Sequence, residues 1–312
     1  MSNRRAMSIF ALVLLAMIIP VSALAAIQGS FQRTLQVSGP VDLQVLTHSG
    51  DITVRAGSPG TVTINAKIHT GSAWLFGMMG GASQADIREI EKNPPIRQTG
   101  NMIKIDYPPY KNISIDYDIT VPAETTLRTD TGSGNQDVRG LKPAVKLRAG
   151  SGDITLNDLA GGAHVETGSG DVRGDNVAGT FDARAGSGDM RVTLAGAGDV
   201  RAHTGSGDVQ LRNINGGLVI DTGSGDVTAE GQQRGIWNVR TGSGDAHLRV
   251  PRDASFDVDV STASGSVTVD HPVNTTVQGK VAGSSKKRVS GKVGNGGPLM
   301  TVHTGSGDVH IY

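Results

Sequence analysis

From Val145 to Val250 the chain alternates apolar and polar positions in short runs, so that one face of each run is apolar and the other polar. A period of two marks strands with one buried face and excludes an amphipathic helix. Between the runs one pentapeptide keeps returning. Ala149–Asp153, Thr167–Asp171, Ala185–Asp189, Thr204–Asp208, Thr222–Asp226, Thr241–Asp245 and Thr304–Asp308 all read Ala/Thr-Gly-Ser-Gly-Asp, and looser copies occupy 47–51, 131–137 and 262–266. The first glycines fall at 132, 150, 168, 186, 205, 223 and 242, with Ala263 in the corresponding place of the next copy, a step of 18 or 19 residues that widens to 21 at the end. So steady a step means stacked units.

The apolar residues keep the same step. Leu147, Val165, Ala183, Ala202, Ile220, Val239, Val260 and Val302 stand three residues before the first glycine; Ile154, Val172, Met190, Val209, Val227, Ala246, Val267 and Val309 stand four after it. A second glycine-bearing turn falls half a repeat later, at 160–162, 178–179, 196–198, 215–217 and 234–235. Each unit therefore predicts two strands and two turns, with corresponding strands stacked about 4.8 Å apart. The expected fold is all-β: a single-chain β-solenoid of ~18-residue two-strand rungs.

Before residue 131 the pattern loosens. Leu43, Val45, Ile52 and Val54 flank the first looser copy, and Val62, Ile64, Ala66 and Ile68 alternate after it. An insertion over about 74–98 then brings the apolar cluster Trp74, Phe76, Met78 and Met79 and a capping-box start at Ser83, which predicts one short helix over 83–92, stopped by Pro94 and Pro95. The cluster and helix are expected to cover an end of the stack, because an open end leaves strand groups unpaired. At the start, Arg4 and Arg5, the apolar run Ile9–Ile19, and Ala23-Leu24-Ala25 predict a secretory signal peptide. The expected organisation is a signal peptide over 1–25, an irregular β part over 26–130 and regular solenoid repeats over 131–312. The protein is expected to be exported to the periplasm, cell surface or medium, with no transmembrane segment after cleavage.

Composition narrows the chemistry. The chain has no cysteine, which excludes a disulfide framework, a thiolate metal site and a thiol nucleophile. Its 29 basic and 29 acidic side chains balance, which argues against nucleic acid as partner. Its 44 glycines among 312 residues match the turns of the repeat.

The repeated Thr-Gly-Ser-Gly-Asp-Val turns, the stretch Ile113–Pro122 and the ending Val289–Ile311 together resemble the bacterial putative-adhesin family, a β-strand-repeat domain of unknown function found on exported proteins. The resemblance covers about residues 40–312 and implies a β-solenoid on an exported protein.

The candidate chemistry lies in ladders. Asp153, Asp171, Asp189, Asp208, Asp226 and Asp245, with Asp308 further on, would line one edge, where neighbouring carboxylates repel. Each is expected first to cap a turn by accepting backbone N–H bonds; the alternative is that the row holds Ca²⁺ as a cofactor. An outward column of Arg148, Glu166, Arg184, His203, Asp221 and Arg240 mostly alternates in sign and fits register specification on a solvated face. Lys280, Lys286, Lys287, Arg288 and Lys292 lie in a stretch free of acidic residues and are candidates for an anionic partner. The histidines show no metal-ligand spacing, and no catalytic motif stands out. The functional expectation is a non-enzymatic adhesin-like or structural protein that presents ladders to envelope or surface polymers. The alternatives are a carbohydrate-active β-helix enzyme, or an element that self-assembles through the edge of the last rung at Ile311.

Overall fold

The computed structural model describes residues 28–70, 83–110, 112–274 and 287–312. The alternating runs form strands that pair in parallel, in register, one repeat apart. Val145–Ser151 lies between Thr126–Ser133 and Ala163–Ser169, with Leu147 opposite Thr129 and Val165. Ile154–Leu159 lies likewise between Gln136–Arg139 and Val172–Ala178. Each repeat thus supplies one level to each of two stacks, here stack one and stack two, and their apolar faces belong to one continuous core. The protein is a β-solenoid.

Large and small side chains are mixed within that core. In stack one, Leu127, Val145, Ala163, Phe181, Val200, Leu218, Trp237 and Met300 form a single buried column. Ala163 beside Phe181 leaves room for the ring, and the Trp237 indole N–H donates to the Gly216 carbonyl at 3.0 Å, so its one polar atom is satisfied. The first residue of the pentapeptide also points inward. Thr167, Thr204, Thr222, Thr241 and Thr304 are buried, and each hydroxyl faces a glycine carbonyl of the preceding level, from 3.1 Å at Thr304 to 3.5 Å at Thr222.

The two glycines of the pentapeptide are required for different reasons. A Cβ on Gly168 would stand 2.5 Å from the Gly150 carbonyl oxygen, although its backbone is ordinary. Gly207 has φ +141°, and a Cβ there would lie 2.1 Å from the Gly188 oxygen. The first glycine allows the close stacking; the second turns the corner as well.

The half-repeat turns depart from expectation. Val209–Ser224 and Val227–Ser243 run unbroken from stack two into stack one. Asn213 at φ 60° and a register shift between Leu211 and Ile214 bend the chain without ending its pairing, and Asn215 remains opposite Gln232.

The ends of the molecule are less regular than its middle. Asp42–Ser49 and Ile52–Gly57 form a level beside Thr126–Ser133 and Gln136–Arg139, as the looser first copy implied. Beyond it, Thr61–Thr70 pairs antiparallel with Ile113–Pro122 and with Gln28–Gln36. The helix Gln84–Lys92 is capped by Ser83 in a capping box with Asp86, and buries Ile87 and Ile90. Glu91 accepts the Ser30 N–H at 2.8 Å, and Arg33 donates to the Glu91 carbonyl at 2.9 Å, so the helix packs on the outer strand Gln28–Gln36. Trp74, Phe76, Met78 and Met79, and the expected signal peptide over 1–25, lie outside the described residues. Among the described residues no helix is long and apolar enough to cross a membrane.

At the other end the chain order and the stacking order part company. Leu299–Ser306 lies between Val227–Ser243 and Phe256–Ser264, and Val309–Ile311 lies between Ala246–Arg249 and Val267–Val269. The last residues therefore fill an interior level, and the edge expected to be free at Ile311 is paired on both sides. The physical reason is in the looser copy at 262–266. Ser266 replaces the aspartate there, so it donates its N–H to Asp308 Oδ1 at 2.7 Å but offers no carboxylate to a further level. That suits a terminal level, and antiparallel Lys287–Val293 closes it.

Candidate functional site

Two ladders run along the stack. The first is made by the aspartates. Asp171 N–H donates to Asp153 Oδ1 at 2.9 Å, Asp189 to Asp171 at 3.0 Å, Asp208 to Asp189 at 2.9 Å and Asp226 to Asp208 at 2.9 Å. Asp245 continues it to Asp226 at 2.8 Å and Asp308 to Asp245 at 2.7 Å. The glycine before each aspartate turns the N–H toward the neighbouring level, and the carboxylate below accepts it. Asn135 holds one position, accepting the Asp153 N–H at 3.0 Å while its own N–H goes to Asp51 at 2.7 Å.

The second carboxylate oxygens are treated unevenly. Arg173 bridges Asp153 and Asp171 at 2.8 and 2.6 Å, and Arg191 reaches Asp189 at 2.9 Å. Asp208, Asp226 and Asp245 have no ion pair within 4 Å among the described residues, and none of these residues forms a group of three or more His, Asp or Glu suited to a metal. With each Oδ1 already accepting an N–H, we expect the same thermal midpoint in millimolar Ca²⁺ and in chelator. Asp208→Asn is expected to keep the midpoint, as Asn135 does the same work, whereas Asp208→Ala leaves the Asp226 N–H without its acceptor and should lose about 1 kcal/mol in thermal or denaturant unfolding.

These bonds set the charge behaviour. The Asp153 carboxyl is held below its ordinary range chiefly by the Arg173 side chain and then by the Asp171 N–H; Asp189 is lowered chiefly by the Asp208 N–H. Glu166 is lowered first by its bond to His164 and further by Arg148. A depressed carboxyl stabilises the fold above its unfolded value of about 4, and that contribution disappears as pH falls through the folded value. We therefore expect a thermal midpoint that is insensitive to these groups above about pH 5 and falls steeply below about pH 4.

The second ladder is the outward charge column of stack one. Asp130, Arg148, Glu166, Arg184, His203, Asp221, Arg240 and His303 stand in register on successive levels. Arg148 meets Glu166 at 2.8 Å, while Arg184 stays 3.9 Å from Glu166 and Arg240 3.8 Å from Asp221, both arginines more than half exposed. Beside this column runs a floor of first glycines, and the two shape shallow concavities of about 620 Å³ around Glu166 and about 470 Å³ around Arg240.

Other expected residues are dispersed. Lys280 and Lys286 lie outside the described residues, and Lys287 begins the strand Lys287–Val293. Arg288 is bound to Asp259 at 2.8 and 2.7 Å, and Lys292 stands opposite Asp257. The acidic partners missing from that stretch of sequence come from the neighbouring strand. His303 bonds Ser261 at 2.7 Å while His310 bonds Asp270 at 2.9 Å, so these two histidines serve different neighbours.

The family model of Toastrack DUF4097 matches residues 41–312, and the chain belongs to the Toastrack family. Solved structures similar to it include a putative cell adhesion protein from Clostridium sporogenes, at 12% identity and TM-score 0.23, covering 91% of this chain and 98% of that one. A putative adhesin from Bacteroides fragilis follows at 12% identity and TM-score 0.36, and one from Parabacteroides distasonis at 7% and 0.37; each covers 91% of this chain and 97% of its own. No curated protein matches the chain.

Proposed function

We propose that this member of the Toastrack family is an exported, non-enzymatic binding protein that holds envelope or surface polymers through contacts repeated along its stack. The observation that carries this reading is the in-register outward strip, in which the charge column from Asp130 to His303 borders a floor of glycines. Its eight levels, about 4.8 Å apart, extend it to roughly 34 Å. One exposed charge contributes at most about 1 kcal/mol, so a single contact is weak; a polymer crossing several levels gains through effective concentration.

The ionisation pattern disfavours three of the strip and ladder carboxylates as general acids. Asp153, Asp189 and Glu166 are all held low by donors, the reverse of the raised carboxyl that a general acid needs. The leader-like residues 1–25 support export. Lys280, Lys286 and Lys287 are proposed to attract acidic groups on such a polymer, Arg288 being held by Asp259 and Lys292 standing opposite Asp257.

The test is retention of the chain lacking residues 1–25 on isolated cell-wall sacculi and on purified surface polysaccharide, with polymer size followed during incubation. We expect salt-sensitive retention, weakened several-fold in an Arg148→Ser, Arg184→Ser, Arg240→Ser variant, and a polymer of unchanged length. Equal retention of the variant, or shortening of the polymer, overturns the proposal.

A further inference from the structure

A separate cleft of about 1050 Å³ opens where the strands of stack two end, far along the rung from the Gly-Ser-Gly-Asp corner. Its walls come from successive levels: Asn215, Glu230, Arg249, Tyr312 and Asp270 follow one another down the stack. It is thus elongated along the axis, running roughly 20 Å at about 4.8 Å per level.

The polar groups of the cleft define what would fill it. His271 is 7% exposed, and its Nε2 lies 3.1 Å from the Pro251 carbonyl. A carbonyl only accepts, so Nε2 carries the proton and, in the neutral ring, Nδ1 is left as a bare acceptor. That Nδ1 is buried without a protein partner, and so is Oδ1 of Asn215. Two buried acceptors in one cleft call for O–H or N–H donors, since each unpaired atom costs its full desolvation.

The opposite need stands beside them. The Arg249 guanidinium lies 4.7 Å over the Tyr312 ring, and Arg252 has no carboxylate partner within 4 Å among the described residues. An anion would satisfy the arginines but oppose the acceptors, and an ammonium would satisfy the acceptors but oppose the arginines. A chain of hydroxyls does both, because each hydroxyl donates and accepts. Tyr312, its ring already stacked by Arg249 and 4.7 Å from the His310 ring, adds its hydroxyl to the same wall.

We propose that this cleft binds a short oligosaccharide. It takes one ligand and shares no residue with the strip of stack one, so it stands or falls independently of polymer binding there. The experiment is titration calorimetry with chitotetraose, cellotetraose and maltotetraose, with citrate as the anionic control. Arg252→Ala and Tyr312→Ala are read alongside, being surface changes that leave the core intact, together with the Arg148→Ser, Arg184→Ser, Arg240→Ser variant. At least one tetrasaccharide is expected to bind, about tenfold or more weaker in Arg252→Ala and weaker in Tyr312→Ala, with no change in the stack-one variant. Binding that ignores both cleft substitutions overturns the proposal. So does citrate binding tighter than every sugar, or no sugar binding at all.

Discussion

Removing residues 299–312 is expected to unfold far more of the protein than the level they form. Leu299–Ser306 and Val309–Ile311 are each paired on both edges, so their loss breaks four ladders at once. Met300, Val302, Val309 and Ile311 are at most 1% exposed, and each contributes about 1.5–3 kcal/mol of apolar burial as an upper estimate. Without them, the level at 256–269 and its antiparallel closing strand have nothing to pair with. Limited proteolysis of the truncated chain should therefore cut throughout 250–293 and leave a core ending near Arg249. Were the last residues a terminal level, the same truncation would expose one new edge and cost a few degrees. Continued protection of 256–269 would exclude the interior placement.

Gly207→Ala should be among the most damaging conservative substitutions in the repeat. It pays twice: a side chain is forced to φ +141°, and its Cβ meets the Gly188 carbonyl oxygen at 2.1 Å, so two levels must separate. We expect a loss above about 3 kcal/mol, with a fall in thermal midpoint of about 6 °C or more. Gly196→Ala is the control, since that glycine also has positive φ, +69°, but nothing lies within 4 Å of its Cβ. It should cost about 1 kcal/mol, the backbone penalty alone. Equal losses in the two variants would mean that stacking contact is not what the second glycine serves.

Much of this fold could be read from the sequence because a solenoid states its rules once per level. The inward columns through Leu147 and Ile154, the pairing one repeat apart and the Ser83 cap follow from spacing and residue type. The threonine ladder was readable too, since alternation places the first pentapeptide residue inward. What spacing does not carry is the order of levels where the repeat breaks. Chain order makes the Thr304–Asp308 copy last, yet the stack puts it before the copy at 262–266. The widened step of 21 and the serine in place of aspartate were the signals.

The ladders and the cleft differ in the same way. Asp153 to Asp245 announce themselves by repetition, but the proton that settles each carboxylate belongs to the next level and appears only in three dimensions. The cleft residues Asn215, Arg249, His271 and Tyr312 share no motif and come from separate levels. Only the stacking gathers them, where each rung ends differently.

The most direct test of the central claim, multivalent binding along the stack, is affinity as a function of polymer length. Size-fractionated fragments of whichever surface polymer is retained would be titrated against the chain lacking residues 1–25. Affinity is predicted to rise with each added unit until the fragment spans the strip of about 34 Å, and then to level off. An affinity that is already complete for the shortest fragment, or unchanged by length, would contradict it.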